Sequence, residues 1–180
     1  MANRASLEHL DFLVEEGRLL AAEYVANPAW VGSPFEWVTQ LPPGARGAVG
    51  RNLAASWATY LGLEVRREGS HNQHYVAIEG HRVQVKLSTL WDSGVYRFQQ
   101  IRDQDYEFLL CIGLSPDDVH AWLIPKDEAF VHLPGANGQH TGAGASETYW
   151  LELDGYLDPP WVEPFGNQLS HVRRLLEALR

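Results

Sequence analysis

Leu7, Leu10, Val14 and Leu19 recur at roughly helical spacing, with Glu8, Asp11, Glu15 and Glu16 between them. This predicts an amphipathic helix over residues 7–25, with Ser6 as its N-cap. Asn27-Pro28 and Ser33-Pro34 break the pattern, and Trp30 and Trp37 predict an irregular segment pinned by aromatics. After a turn at Leu41-Pro42-Pro43-Gly44, Val49, Leu53, Trp57, Tyr60 and Leu61 return to helical spacing over 48–61, and Gly62 supplies the stop. Leu63 to Glu68 alternates like a strand. A polar loop, 69–73, then leads into strands at 75–79 and 82–88, whose short Glu79-Gly80 connection predicts an antiparallel hairpin. Phe98 and Ile101 predict a helix over 96–104, following a turn at Trp91-Asp92-Ser93-Gly94. The apolar run 106–112 predicts a strand covered on both faces, and 119–124 a returning strand ended by Pro125. A glycine-rich loop over 134–146, a short strand over 148–153 and a closing helix over 168–179 complete the chain. The order of elements predicts an α/β layer architecture in a single domain of 180 residues.

Composition narrows the classes. The chain is 45% hydrophobic and 21% charged, as in a globular protein, and no uninterrupted apolar run reaches membrane-spanning length. The N-terminal residues lack a basic region followed by an apolar stretch, and Cys111 stands alone, so no membrane partner and a cytoplasmic setting are expected. A net charge of −9 argues against a protein that holds nucleic acid by bulk attraction, while leaving room for one local basic groove. The seven tryptophans read mostly as core or rim residues, with a few available as stacking surfaces.

Candidate chemistry concentrates in 71–86. Side chains alternate along a strand, so Gln84 and Lys86 project from one face. An amide oxygen can coordinate Mg²⁺, and a lysine there can stabilise charge developing on a phosphate. A lysine facing solvent from an edge strand, beside an ordinary surface glutamine, is the plain alternative. The preceding loop offers Asn72 as an oxygen ligand and His74 as a general base or a ligand to Mn²⁺ or Zn²⁺, unless its histidines only make ordinary hydrogen bonds. Glu64 is the nearest upstream carboxylate; Glu79, at the turn, is set aside as remote. His81, His120, His132 and His140 form no zinc pattern, and Cys111 reads as an inert buried thiol. No nucleophile elbow, phosphate-binding glycine loop or dinucleotide fingerprint occurs. Arg97, Gln99, Gln100, Arg102 and Gln104 cluster on the predicted 96–104 helix; they suit nucleic-acid contact, or a solvated amphipathic face.

Arg46-Gly47-Ala48-Val49-Gly50-Arg51, Leu61-Gly62-Leu63-Glu64-Val65, Val83-Gln84-Val85-Lys86-Leu87-Ser88-Thr89 and Tyr96-Arg97-Phe98-Gln99-Gln100-Ile101-Arg102 together resemble the PD-(D/E)xK nuclease superfamily, the restriction endonuclease-like fold, over residues 46–125. The resemblance implies an αβββαβ core with a mixed central sheet flanked by helices. Residues 1–45 then form an N-terminal extension, and 126–180 a C-terminal one. It also implies Mg²⁺-dependent (or Mn²⁺-dependent) cleavage of double-stranded DNA in restriction or repair, often by a homodimer. The family lysine falls on Lys86 and the second acidic position on Gln84. No Asp or Glu occurs from Gly69 to Ile78, so the first acidic position passes to Glu64, Asn72 or His74. The expected site is therefore Lys86, Gln84, His74 and Glu64 for catalysis and Glu64, Gln84 and Asn72 for metal. Arg97, Gln100, Arg102 and His140, on the 96–104 helix and the 134–149 loop, are expected to meet DNA. The alternatives are an inactive nuclease-like domain that binds DNA or a protein, and an unrelated α/β protein with a structural lysine.

Overall fold

The structure, a computed structural model, describes residues 10, 12–19, 27–70, 73–136, 138–139 and 148–180. Residues 12–19 form a helix, α1, whose Phe12, Leu13, Val14 and Leu19 are exposed. A 3-10 turn at Pro28–Trp30 and a one-turn helix α2, Glu36–Thr39, bury Trp30 and Val38. The next helix, α3 (Pro43–Tyr60), starts earlier than its apolar spacing predicts, because Pro43 occupies the first turn, where its missing N–H costs nothing. Gly62, at φ 75°, ends the segment.

Nine strands follow among the described residues: β1 Val65–Ser70, β2 Gln73–Ile78, β3 His81–Thr89, β4 Tyr96–Ile101, β5 Phe108–Leu114, β6 Val119–Pro125, β7 Gly138–Gln139, β8 Thr148–Leu153 and β9 Gly166–Gln168. Between β6 and β7 lies α4, Lys126–Ala136, and α5, Leu169–Glu177, closes the chain. The central sheet has the order β1-β2-β3-β5-β6-β9, with β3 and β5 parallel and all other neighbours antiparallel. A second sheet, β4-β8-β7, lies apart from it. The architecture is α/β, a mixed central sheet flanked by helices.

Two cores sandwich the central sheet. On one face Val83, Val85, Leu110 and Ile112 meet Ala54, Ala55 and Ala58 of α3 and Val172 and Leu176 of α5. Small residues let α3 come close: a Cβ on Gly50 would stand 2.8 Å from Leu87 Cβ. On the other face Leu109, Cys111, Trp122 and Ile124 meet Tyr96, Phe98 and Ile101 of β4, Leu151 and Leu153 of β8, and Ala129 and Leu133 of α4. The apolar run in β5 serves both cores at once, as its composition predicts.

Three expectations need correction. The helix over 96–104 is absent: its first six residues are β4, which pairs with β8. Tyr96 and Phe98 alternate inward, and then the register shifts, with Gln100 at φ 56°, so that Ile101 also points in. The bulge turns a two-residue spacing into a three-residue one, which mimics a helix. The αβββ order is present, but the crossover from β3 to the parallel β5 therefore runs through a strand of the second sheet instead of a helix. Finally, residues 134–136 of the predicted loop end α4 and 138–139 form β7; the remainder of that loop, with His140, lies outside the described residues.

Candidate nucleic-acid interface

The pairing of β2 with β3 runs from Ile78 opposite His81 to Tyr75 opposite Gln84. Beyond Gln84, the stretch 85–89 of β3 borders an open cleft of about 700 Å³. The N-terminal half of α3 forms one wall with Arg46 and Arg51. The other wall comes from β4 and the residues after it, with Arg97, Gln99, Gln100, Arg102 and Gln104, and Trp91 at the rim.

Gln84 and Lys86 share the face of β3 that looks toward β4. Gln84 is buried; its Nε2 donates to Gln104 Oε1 at 3.2 Å, while its own Oε1 has no partner among the described residues. Swapping the two ends of this amide leaves the other polar end in the same position. Lys86 is part-buried, opposite Cys111, and its Nζ donates to the Gln100 carbonyl at 2.6 Å. The left-handed backbone at Gln100 belongs to the same bulge that interrupts β4. Burial pulls the Lys86 ammonium down to about 8; Arg102 and Arg51 push the same way, and Cys111 opposes them. Ser88, also on this face, accepts from the Arg97 N–H at 3.0 Å and so ties β3 to β4.

All five charged residues lining the cleft are cations: Arg46, Arg51, Lys86, Arg97 and Arg102. Arg97 is neutralised by Glu152, with Nε 2.5 Å from Oε1, and its guanidinium lies over the Trp91 ring at 4.2 Å and the Trp150 ring at 5.1 Å. Arg46 donates to the Leu41 and Thr39 carbonyls, which anchors it in the wall with its charge intact. Among the described residues, Arg46, Arg51, Lys86 and Arg102 form no ion pair with a carboxylate. Four uncompensated positive charges thus meet in one cleft of a chain whose net charge is −9.

The expected site is only partly assembled. Gln84, Lys86, Arg97, Gln100 and Arg102 line one cleft, although the last three stand on a strand and its exit instead of a helix. Glu64 does not join them. It lies before β1, beside the β2–β3 turn; the Glu79 carboxylate accepts from its N–H at 2.8 Å, and its own carboxylate pairs with Arg66 at 2.5 Å. That turn is five residues up β3 from Lys86, about 17 Å at strand rise. Setting Glu79 aside as remote agrees with this placement. His74 lies in β2 opposite Gly69, with its side chain outside the described residues, as is Asn72 altogether.

A divalent cation does not fit the donors that the described residues supply. Among the described residues the cleft offers neutral amide oxygens, from Gln84, Gln99, Gln100 and Gln104, among cations and no carboxylate, whereas Mg²⁺ is held by carboxylates. Residues directly opposite on neighbouring strands share a face, so Tyr75 holds the place from which a carboxylate on β2 would reach toward Gln84. No cluster of three or more His, Cys, Asp or Glu suited to a metal occurs among the described residues.

Sequence reasoning missed the cationic wall of α3. Arg46 and Arg51 are five residues apart with Gly47 and Gly50 between them, a spacing that carries meaning only once Gly50 is seen to bring α3 against Leu87. Trp91 was also missed, since the turn Trp91-Asp92-Ser93-Gly94 reads as a connection.

No family model and no curated protein matches the chain. Among solved structures it is similar to a bacterial homing endonuclease, I-Ssp6803I, with 17% sequence identity and a TM-score of 0.48 over 76% of this chain and 95% of that one.

Proposed function

We propose that this chain is a nuclease-like domain that binds the phosphate backbone of nucleic acid in the β3 cleft and acts there as a binding module. The observation that carries this reading is the charge of the cleft: among the described residues five cations line it, four of them without a carboxylate partner, and no acidic residue does. Burying charge next to like charge is unfavourable unless a ligand of opposite sign compensates. A row of phosphates compensates each cation separately. Lys86 is on β3, Arg46 and Arg51 on one wall and Arg102 on the other, so an extended polyanion suits the cleft better than a single anion.

Metal-dependent cleavage is the second reading. The unpartnered Gln84 Oε1 beside Lys86 favours it, as does the resemblance of Val83-Gln84-Val85-Lys86 to the nuclease motif. Its remaining ligands would have to come from outside the described side chains, with Asn72 and His74 as the named candidates. In that reading a bound metal would supply an activated water. Lys86 would hold positive charge against the phosphate, and Gln84 would help to hold the metal.

Two assays separate the readings. Binding of labelled DNA is measured across a salt series, and nicking of supercoiled plasmid is measured with Mg²⁺ or Mn²⁺, with and without EDTA. The binding-module reading expects affinity to fall steeply with salt and no metal-dependent nicking at any protein concentration. Nicking that EDTA stops and Lys86→Met abolishes would establish the nuclease reading in its place. Salt-independent binding, or none, would remove nucleic acid from both.

A further inference from the structure

We propose that the cleft takes nucleic acid as a single strand, with Trp91 as the platform on which an unpaired base stacks; this rests on the phosphate-binding reading above. Three observations carry it. The first is the form of the basic surface. Besides the cleft cations the chain carries a large excess of acid, and Asp92 stands next to Trp91 at one end of the cleft's outer wall, while Asp103 and Asp105, just past Arg102, are paired with Lys126 and Arg82. A volume of about 700 Å³ is that of a ligand pocket. A duplex laid over it would leave its second backbone outside the row of cations, whereas a single strand can follow the cations inside.

The second observation is Trp91 itself. It lines the cleft with 42% of its surface exposed. It is held in place by backbone bonds from its own N–H to Val95 and from Gly94 to its carbonyl. Arg97 lies across the ring at 4.2 Å and is itself clamped by Glu152. An indole fixed in this way and left open on a cation-lined cleft is preorganised for another flat ring. A basic groove with an aromatic platform is the general arrangement for single strands, because every base has a π-face.

The third is the supply of amides. Gln99 and Gln100 are exposed on the same wall, and Gln84 and Gln104 meet below it with one Gln84 amide end unpartnered. Amides can pair with the edges of an unstacked base; in a duplex those edges are occupied.

The test uses the whole chain and fluorescence anisotropy with three probes of equal length: oligo-dT, the corresponding duplex and an oligo-glutamate peptide. Wild type, Trp91→Ala, Trp91→Phe and a control remote from the cleft, Tyr60→Ala, are compared, with the thermal melt of each recorded. The single strand is expected to bind at least about tenfold tighter than the duplex, with a salt slope of about −3 for four cations at about 0.7 each. Trp91→Ala should weaken oligo-dT binding about tenfold or more, as loss of one stacked base requires. Trp91→Phe should keep most of the affinity, and duplex affinity should not move. Equal oligo-dT affinity for wild type and Trp91→Ala, with unchanged melts, would overturn the stacking role. Duplex bound as tightly as single strand would overturn the strand preference. Oligo-glutamate bound as tightly as oligo-dT would turn the cleft into an acidic-peptide site. Failure to bind either DNA would remove the phosphate-binding reading and this one with it.

Discussion

Lys86→Met separates the cost of the cleft from its use. The ammonium is held at about 8, down from an ordinary 10.5, chiefly because burial disfavours its charge. A gap of that size corresponds to about 3 kcal/mol at most, and partial exposure with solvent screening reduces it to about 1–2 kcal/mol. The bond from Nζ to the Gln100 carbonyl returns about 1 kcal/mol. Replacing the charged end with an apolar one of similar length should therefore stabilise the protein at pH 7 slightly, by less than about 1 kcal/mol. The sharper signature is in pH. Between about 8 and 10.5 the unfolded chain holds a proton on Lys86 that the folded chain has lost, so the contribution of Lys86 to stability rises with pH across that window. Urea unfolding at intervals from pH 7 to 9.5 measures it. That range stays below the tyrosine titrations, since burial raises Tyr96 to about 12 and Tyr106 further. Wild type should gain stability relative to Lys86→Met as pH rises, by about 1 kcal/mol over the range. A constant difference between the two proteins, or Lys86→Met losing ground with rising pH, would refute the desolvated-lysine argument.

Three further outcomes follow from contacts already described. Glu152→Ala removes the carboxylate that neutralises Arg97, so DNA affinity should rise and the salt slope should steepen by somewhat under one; an unchanged slope would mean that the two tryptophans keep Arg97 away from phosphate. Gly50→Ala adds a Cβ 2.8 Å from Leu87 Cβ, a group too near the backbone to swing aside; overpacking should outweigh the helix-propensity gain of about 1 kcal/mol, and the urea midpoint should fall. Cys111 is fully buried, and burial raises its thiol well above the usual range, so a thiol reagent should label it only after unfolding; rapid labelling of the native protein would show that the second core opens.

Much of the central sheet was legible because its strands obey local rules. The Glu79-Gly80 turn, with both residues in the left-handed region, fixes the β2–β3 register and so sets Tyr75 opposite Gln84, while alternation along β3 puts Gln84 and Lys86 on one face. The apolar run of β5 announced a strand with cores on both sides. What failed locally was β4, where one bulged residue, Gln100, gives Phe98 and Ile101 the spacing of a helix turn. That bulge also aims the Gln100 carbonyl at Lys86 Nζ, so the feature that misled the pattern is part of the cleft. Glu64 was misplaced for a different reason. Proximity in sequence to the His71–His74 loop does not survive the β1–β2 pairing, which sends residue 64 to the turn end of the hairpin. The short helix α4 was missed because Pro134 and Gly135 in its last turn read as the opening of a loop.

Whether such a domain binds or cuts depends on one row of residues across the sheet. Glu68, Tyr75, Gln84 and Leu109 stand side by side on β1, β2, β3 and β5, with Tyr75 between Glu68 and Gln84, and Lys86 lies two residues along β3. A carboxylate at position 75 would place negative charge beside Gln84 Oε1 and give a divalent cation a first ionic ligand. Tyrosine places a neutral ring there, and among the described residues every charged group lining the cleft is positive. Cations that face a metal raise the free energy of loading it, whereas the same cations lower the free energy of seating phosphates. The arrangement around Gln84 therefore favours the anion over the metal, and the unpartnered amide end is better matched to the edge of a base held over Trp91 than to a hard cation without carboxylates.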